Sequence, residues 1–177
     1  MNSDFCPPSL NDVISIAPGA FHSVALRQDG NVVAWGCNAY GQLDIPDSAS
    51  GEVAAVCAGR NHSLALTKAG QVIGWGLNRD GQIDVPDWLN EVVMIAAGRN
   101  HSLAMRSNGT VVAWGHNVFN QCDVPLQLER VVNIFANDYS SMALKSNGSI
   151  VQWGGRDYLP GQAETGVIEQ SAEPNFS

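Results

Sequence analysis

The stretch CAGRNHSLALTKAGQVIGWG, residues 57–76, decides the fold, because the chain repeats it. Residues 17–36 read APGAFHSVALRQDGNVVAWG, residues 96–115 read AAGRNHSLAMRSNGTVVAWG, and residues 135–154 read FANDYSSMALKSNGSIVQWG. Trp35, Trp75, Trp114 and Trp153 stand 40, 39 and 39 residues apart, each followed by glycine. His22, His62 and His101 keep the same step, and Ser140 takes the fourth place. Self-similarity at a period of a few tens of residues marks a repeat architecture in which each unit buries its apolar face against the next.

Each unit contains two apolar runs around a short turn: Asp29-Gly30, Ala69-Gly70, Asn108-Gly109 and Asn147-Gly148. Asp-Gly and Asn-Gly tolerate positive φ at both centres of a type I′ turn, so the pattern predicts a two-residue hairpin in every unit. The flanking runs, such as Leu64–Leu66 and Val72–Trp75, are apolar without alternation, which predicts sheets covered on both faces. A third strand precedes the hairpin at 13–16, 53–56, 92–95 and 131–134. Behind the hairpin comes W-G-x-N-x-x-G-Q-x-D-x-P, at Trp35–Pro46, Trp75–Pro86 and, with Asn120 replacing a glycine, Trp114–Pro125. Its Gln-x-Asp-x-Pro end is at most a short fourth strand, since proline lacks the ladder donor. Four short strands per unit and no helical stretch predict an all-β fold, a β-propeller of about four blades of four antiparallel strands.

The blocks W-G-x-N-x-x-G-Q and A-G-x-x-H-S-L-A-L resemble the repeats of the regulator of chromosome condensation superfamily of β-propellers. The short period and the Gly-Gln…Pro ending are most similar to its β-lactamase-inhibiting branch. The resemblance covers about Val13 to Trp153. It implies a propeller fold strongly and a function weakly, because this scaffold serves guanine-nucleotide exchange, light sensing, ubiquitin-ligase assembly and enzyme inhibition alike. In the inhibitors that the chain resembles, the equivalent loop face grips the target enzyme.

Seven blades of this period need roughly 270 residues, and the chain has 177. Three arrangements satisfy the exposed end sheets: a closed four-bladed ring, an assembly of chains, or an open arc capped by its tail. A homodimer completing one ring is the favoured expectation, because closed symmetric dimers are the commonest oligomers. The expected layout is an N-terminal arm at 1–12, a repeat domain at 13–162 with a degenerate fourth blade, and an acidic tail at 163–177. The net charge is −8, with 45% hydrophobic residues and 15% charged. That composition favours a folded chain and argues against nucleic acid as partner, which calls for a basic face. The absence of a long apolar run argues against a membrane partner. With no basic-then-apolar leader and with Cys6, Cys37, Cys57 and Cys122 at unrelated spacings, a reducing, cytoplasmic setting is expected.

No nucleophile motif, phosphate loop or metal-ligand spacing occurs, so neither enzyme activity nor a cofactor is expected. The three registered histidines start strands and are expected to bond between blades rather than hold metal, since no carboxylate or cysteine accompanies them. Asn38, Asn78 and Asn117 with Asp44, Asp84 and Asp123 recur once per blade and are expected to tie turns. The partner-binding candidates lie on the loops that share one face. Between the first and second strands of each blade these are Phe21, Arg60, Asn61, Arg99, Asn100 and Tyr139. Between the third and fourth segments they are Tyr40, Arg79, Phe119 and Tyr158. Aromatics and arginines on loops over a rigid scaffold are the residues that protein interfaces favour. The function expected is therefore a non-enzymatic protein-interaction module, with self-assembly or inhibition of a hydrolase such as a β-lactamase as alternatives.

Overall fold

A computed structural model describes residues 10–155. The first blade is β1 (Val13–Pro18), β2 (His22–Arg27) and β3 (Val32–Gly36); the second is β4 (Val53–Ala58), β5 (His62–Thr67) and β6 (Val72–Gly76). The third is β7 (Val92–Ala97), β8 (His101–Arg106) and β9 (Val111–Gly115); the fourth is β10 (Val131–Ala136), β11 (Ser140–Lys145) and β12 (Ile150–Gly154). Each blade is an antiparallel sheet with its strands in chain order, and β1, β4, β7 and β10 each begin with a register shift. Those first strands pack on one another from blade to blade. Among the described residues no comparable contact joins β1 to β10, so the blades form an open arc of a propeller. The expected acidic tail lies outside the described residues.

Two expectations of detail change. First, among the described residues the blades have three strands, not four. The Gln-x-Asp-x-Pro segments fold as turns, in which the Asp44 N–H donates to the Gly41 carbonyl at 3.0 Å and the Asn38 side chain captures the Leu43 N–H at 2.8 Å. With the side chain taking that donor and proline supplying none, no ladder forms. Second, the hairpin turns are not type I′. In the first blade Gly30 N–H donates to Arg27 O and Arg27 N–H to Asn31 O, and only Gly30 has positive φ, at 80°. This is a three-residue loop, a type I turn closed by a left-handed glycine. The Asp29 carboxylate, which accepts the Asn31 N–H at 3.0 Å, stabilises the form that keeps Asp29 itself right-handed. Asn108 and Asn147 repeat the bond to Thr110 and Ser149.

The core is three apolar clusters, one at each junction between consecutive blades. Val24, Leu26 and Ala65 pack with Trp75; Leu64, Leu66 and Ala104 pack with Trp114; Leu103, Met105 and Ala143 pack with Trp153. The middle strand is buried on both sides, as the continuous apolar runs require, while Ile14 and Ile16 on the inner edge of the first blade stay exposed.

A polar column crosses each junction. His22, His62 and His101 reach the next blade through Nε2, to Ser63, Ser102 and Ser141 Oγ at 2.8, 3.1 and 3.0 Å. Ser102 and Ser141 donate to the carbonyls of Gln82 and Gln121, both at 2.7 Å. A hydroxyl that donates there can only accept from the imidazole, so His62 and His101 carry a proton on Nε2. Their Nδ1 atoms are buried without a partner. Burial, first, and the neighbouring histidines hold the His62 pKa down to about 3 and the His101 pKa down to about 4. Gly98, two residues before the loop ends, lets that ring lie flat, since a Cβ there would stand 2.1 Å from His101 Cε1 and 2.5 Å from the Asn137 carbonyl.

Two predictions follow from these junctions. Gly98→Ala should destabilise the chain by about 2–3 kcal/mol in urea unfolding through overpacking against backbone, whereas an unchanged midpoint would show that the ring is not confined. Because both histidines are neutral when folded but titrate near 6.5 when unfolded, the unfolded state takes up more protons as pH falls from 6.5 towards 4. Stability should therefore drop by roughly 2 kcal/mol per buried histidine between pH 7 and pH 5, and His101→Gln should flatten the slope.

Candidate functional site

The loop face is built on a tie that recurs in each linker. Asn38, Asn78 and Asn117 donate from Nδ2 to Asp44, Asp84 and Asp123 at 2.8, 2.7 and 2.8 Å, as the sequence led us to expect. Buried Gln42, Gln82 and Gln121 then accept, through Oε1, the N–H groups of Tyr40, Asp80 and Phe119 at 2.8, 2.9 and 2.9 Å. The backbone of each loop tip is thus fixed from beneath by side chains, and the residues at the tip are left to face outward.

Three arginines on this face lie over aromatic rings. The Arg60 guanidinium stands 5.4 Å from the Phe21 ring centre, Arg79 stands 5.5 Å from Tyr40, and Arg99 stands 5.3 Å from Tyr139. Each pair spans two blades, so the cations brace the rings that neighbouring blades present. Arg99 also donates to Tyr139 Oη at 2.6 Å and stands 4.0 Å from the Asp138 carboxylate. Phe119 meets Tyr139 edge-on at 5.1 Å, which joins the two loop sets that the topology places together.

The loops surround two depressions. A central concavity of about 470 Å³ is lined by all four loops between first and second strands, with Phe21, Arg60, Arg99 and Asp138 at its rim. Beside it, Arg60, Arg99, Asn100, His116, Phe119, Asp138 and Tyr139 line a cleft of about 260 Å³. Phe21 and Tyr40 are 52% and 42% exposed. Asn61 differs from the other described candidates in being buried; its carbonyl accepts the Leu77 N–H, as those of Phe21 and Asn100 accept Cys37 and His116. Asn100 is half-buried and donates to the Asp80 carboxylate at 2.9 Å. Tyr158 lies outside the described residues.

Three further members of the face stand outside the ten partner-binding candidates, although the loop reading already places Asp80 and Asp138 on it. Asp80 and Asp138 sit in the variable loop positions beside Arg79 and Tyr139, and their pairing shows only in three dimensions. His116 falls outside the histidine register; its Nδ1 accepts from Gln121 Nε2 at 2.9 Å and its ring lies 6.0 Å from Phe119. Among the described residues, no group of three or more His, Cys, Asp or Glu side chains is placed to hold a metal ion, and no helix is long and apolar enough to cross a membrane. Cys37, Cys57 and Cys122 are free thiols. Burial pushes the Cys57 thiol far above its ordinary range, and burial with the neighbouring Asp123 pushes Cys122 up to about 12.

Comparison with known proteins gives a fold and a family. The structure of yeast RCC1 (Prp20) bound to Kap60 matches over 92% of this chain and 50% of its own, at 25% identity and a TM-score of 0.74. A Saccharomyces cerevisiae Prp20p structure, described with its binding properties to Gsp1p and histones, matches at 24% identity and a TM-score of 0.72. The CRINKLY WD40 ectodomain of the Arabidopsis thaliana receptor kinase ACR4 matches at 20% identity and 0.67, over 86% of this chain and 59% of its own. The chain spans about half the length of these solved relatives. A search of curated protein sequences gives no match. The model of the regulator of chromosome condensation (RCC1) repeat matches residues 13–42, 53–82 and 92–121, just over half of the chain. With the blade order, the inter-blade histidines and the linker ties in agreement, the chain belongs to the RCC1 repeat family of β-propellers.

Proposed function

We propose that the chain is a protein-interaction module whose binding surface is the loop face around the central concavity. The observation that carries this reading is the set of three arginine–aromatic pairs, each bridging two blades on one side of the arc. Arginine, tyrosine and phenylalanine are the side chains that anchor protein interfaces. Here they are already braced in the free protein, so a partner finds them with little ordering entropy left to lose. Fixed loop tips on Asn–Asp–Gln ties act in the same direction. Charge suits a mixed partner surface, since Arg60, Arg79 and Arg99 alternate with Asp80 and Asp138 rather than forming one strong field. The solved relatives, one bound to Kap60 and one described with binding properties to Gsp1p and histones, support an interaction role in a general way, and this chain spans about half their length. No catalytic group is assigned to the face.

A photo-crosslinking residue placed at Tyr40, Val118 or Phe21 in cells that express the protein should give adducts to one protein partner, identified by mass spectrometry. The same residue at Lys68 or Ser107, on the opposite turns, should give none. With the purified partner, the triple variant Tyr40→Ala, Phe119→Ala, Tyr139→Ala should weaken binding by at least about a hundredfold with unfolding unchanged to within the loss of exposed contacts. Adducts from the opposite turns alone would overturn the assignment of the face.

A further inference from the structure

The linker that precedes a blade also covers it. Trp75 donates from Nε1 to the Gln42 carbonyl, Trp114 to Gln82 and Trp153 to Gln121, each at 3.0 Å. The first blade offers the same fittings without that cover among the described residues. The Trp35 indole N–H has no acceptor there, and Trp35 is half-buried where the other three tryptophans of the repeat are buried. Ser23 is half-buried where Ser63, Ser102 and Ser141 are fully buried. With Gly36 and Phe21 these residues line a cavity of about 420 Å³. A Cβ on Gly76 or Gly115 would come within 3.3 or 3.1 Å of Gln42 or Gln82 Cα, whereas the nearest described atoms to one on Gly36 belong to its own blade's Phe21 and His22.

The residues before β1 keep the register of the linkers. Counting back from Val13, Val92 and Val131, the position one before is Asp12, Glu91 or Arg130, and all three have positive φ, at 63°, 54° and 58°. Each of these three carbonyls accepts the same turn N–H, from Gln28, Ser107 and Ser146. Three before stands Leu10, Leu89 or Leu128, and six before stands Pro7, Pro86 or Pro125. Leu89 shares a cluster with Trp114, and Leu128 packs on the cluster of Trp153. Ten and eleven before come Ser3 and Asn2, in the places of Gln82 with Gly81 and of Gln121 with Asn120. Asparagine is one of the few residues that tolerates the left-handed conformation Asn120 adopts, at φ 59°.

We infer that the outer face of the first blade is a docking site for an extended linker-type segment, and that residues 2–9 of the same chain occupy it. The open Trp35 indole N–H is the donor that such a segment would satisfy, as the carbonyls of Gln42, Gln82 and Gln121 satisfy the later tryptophans. A second copy is the weaker occupant. Its fourth blade carries Ser140 where a histidine would have to reach Ser23, so the mating would lack one of the bonds found at all three junctions of this chain.

The test is indole N–H exchange of the five tryptophans by NMR on the full chain, at two concentrations with mass measured alongside, Trp35→Phe identifying the resonance. Trp35 should exchange at least about tenfold more slowly than exposed Trp88, at both concentrations and at monomer mass. Deleting residues 2–9 should remove that protection and leave Trp75, Trp114 and Trp153 unchanged, and a peptide of residues 1–12 should restore it. Should the deletion fail to fold, Leu10→Asp in the full chain should speed Trp35 alone. Exchange of Trp35 as fast as Trp88 in the full chain would overturn the inference. So would protection that appears only with doubled mass, which would assign the site to a second copy, or protection that survives both variants.

Discussion

The second and third junctions of the arc each hang on one backbone carbonyl. Gln82 O accepts both the Trp114 indole N–H and the Ser102 hydroxyl, and that hydroxyl in turn accepts from His62. A carbonyl has two lone pairs, and here both are used by the next blade. In an apolar seam each of these groups would be costly if left unmade, so the blades dock in the one register that satisfies all of them. The apolar clusters alone would tolerate sliding; the polar column does not. Histidine serves because a neutral imidazole can donate from the edge of a flat ring that fits under a glycine loop.

The same glutamine that supplies the carbonyl turns its side chain to the loop above. Gln82 Oε1 holds the Asp80 N–H, and Gln121 Oε1 holds the Phe119 N–H. Junction and loop face are therefore two ends of one residue, and the candidate binding surface inherits the rigidity of the core. Since the main strand contacts among the described residues run between neighbouring blades, stability accumulates blade by blade, as in other repeat architectures.

The fold was legible because its signals are periodic. The tryptophans, glycines and histidines announce the blade and its step, and the Asn and Asp of the linker announce a tied turn. Details failed where two local solutions share one sequence. Asp-Gly suits a type I′ turn and equally a type I turn with a left-handed glycine, and the Asn31 N–H bond to the Asp29 carboxylate favours the second. The fourth strand failed because Asn38 takes the backbone donor that a ladder would need. On the face, residue type pointed to Arg60, Arg79, Arg99, Phe21, Tyr40 and Tyr139, but no spacing rule says which arginine lies over which ring. Asn61 looked like Asn100 in sequence, yet it is buried.

The Asn–Asp–Gln tie has a consequence for how such a surface changes over time. Because the tip backbone is held from below, its conformation does not depend on which side chains stand at positions 39 and 40, 79 and 80, and 118 and 119. Alanine with tyrosine, arginine with aspartate, and valine with phenylalanine already occupy equivalent places in three blades. Each tip behaves as an interchangeable character in a fixed frame. Such a scaffold can acquire a new partner by altering letters without altering the page.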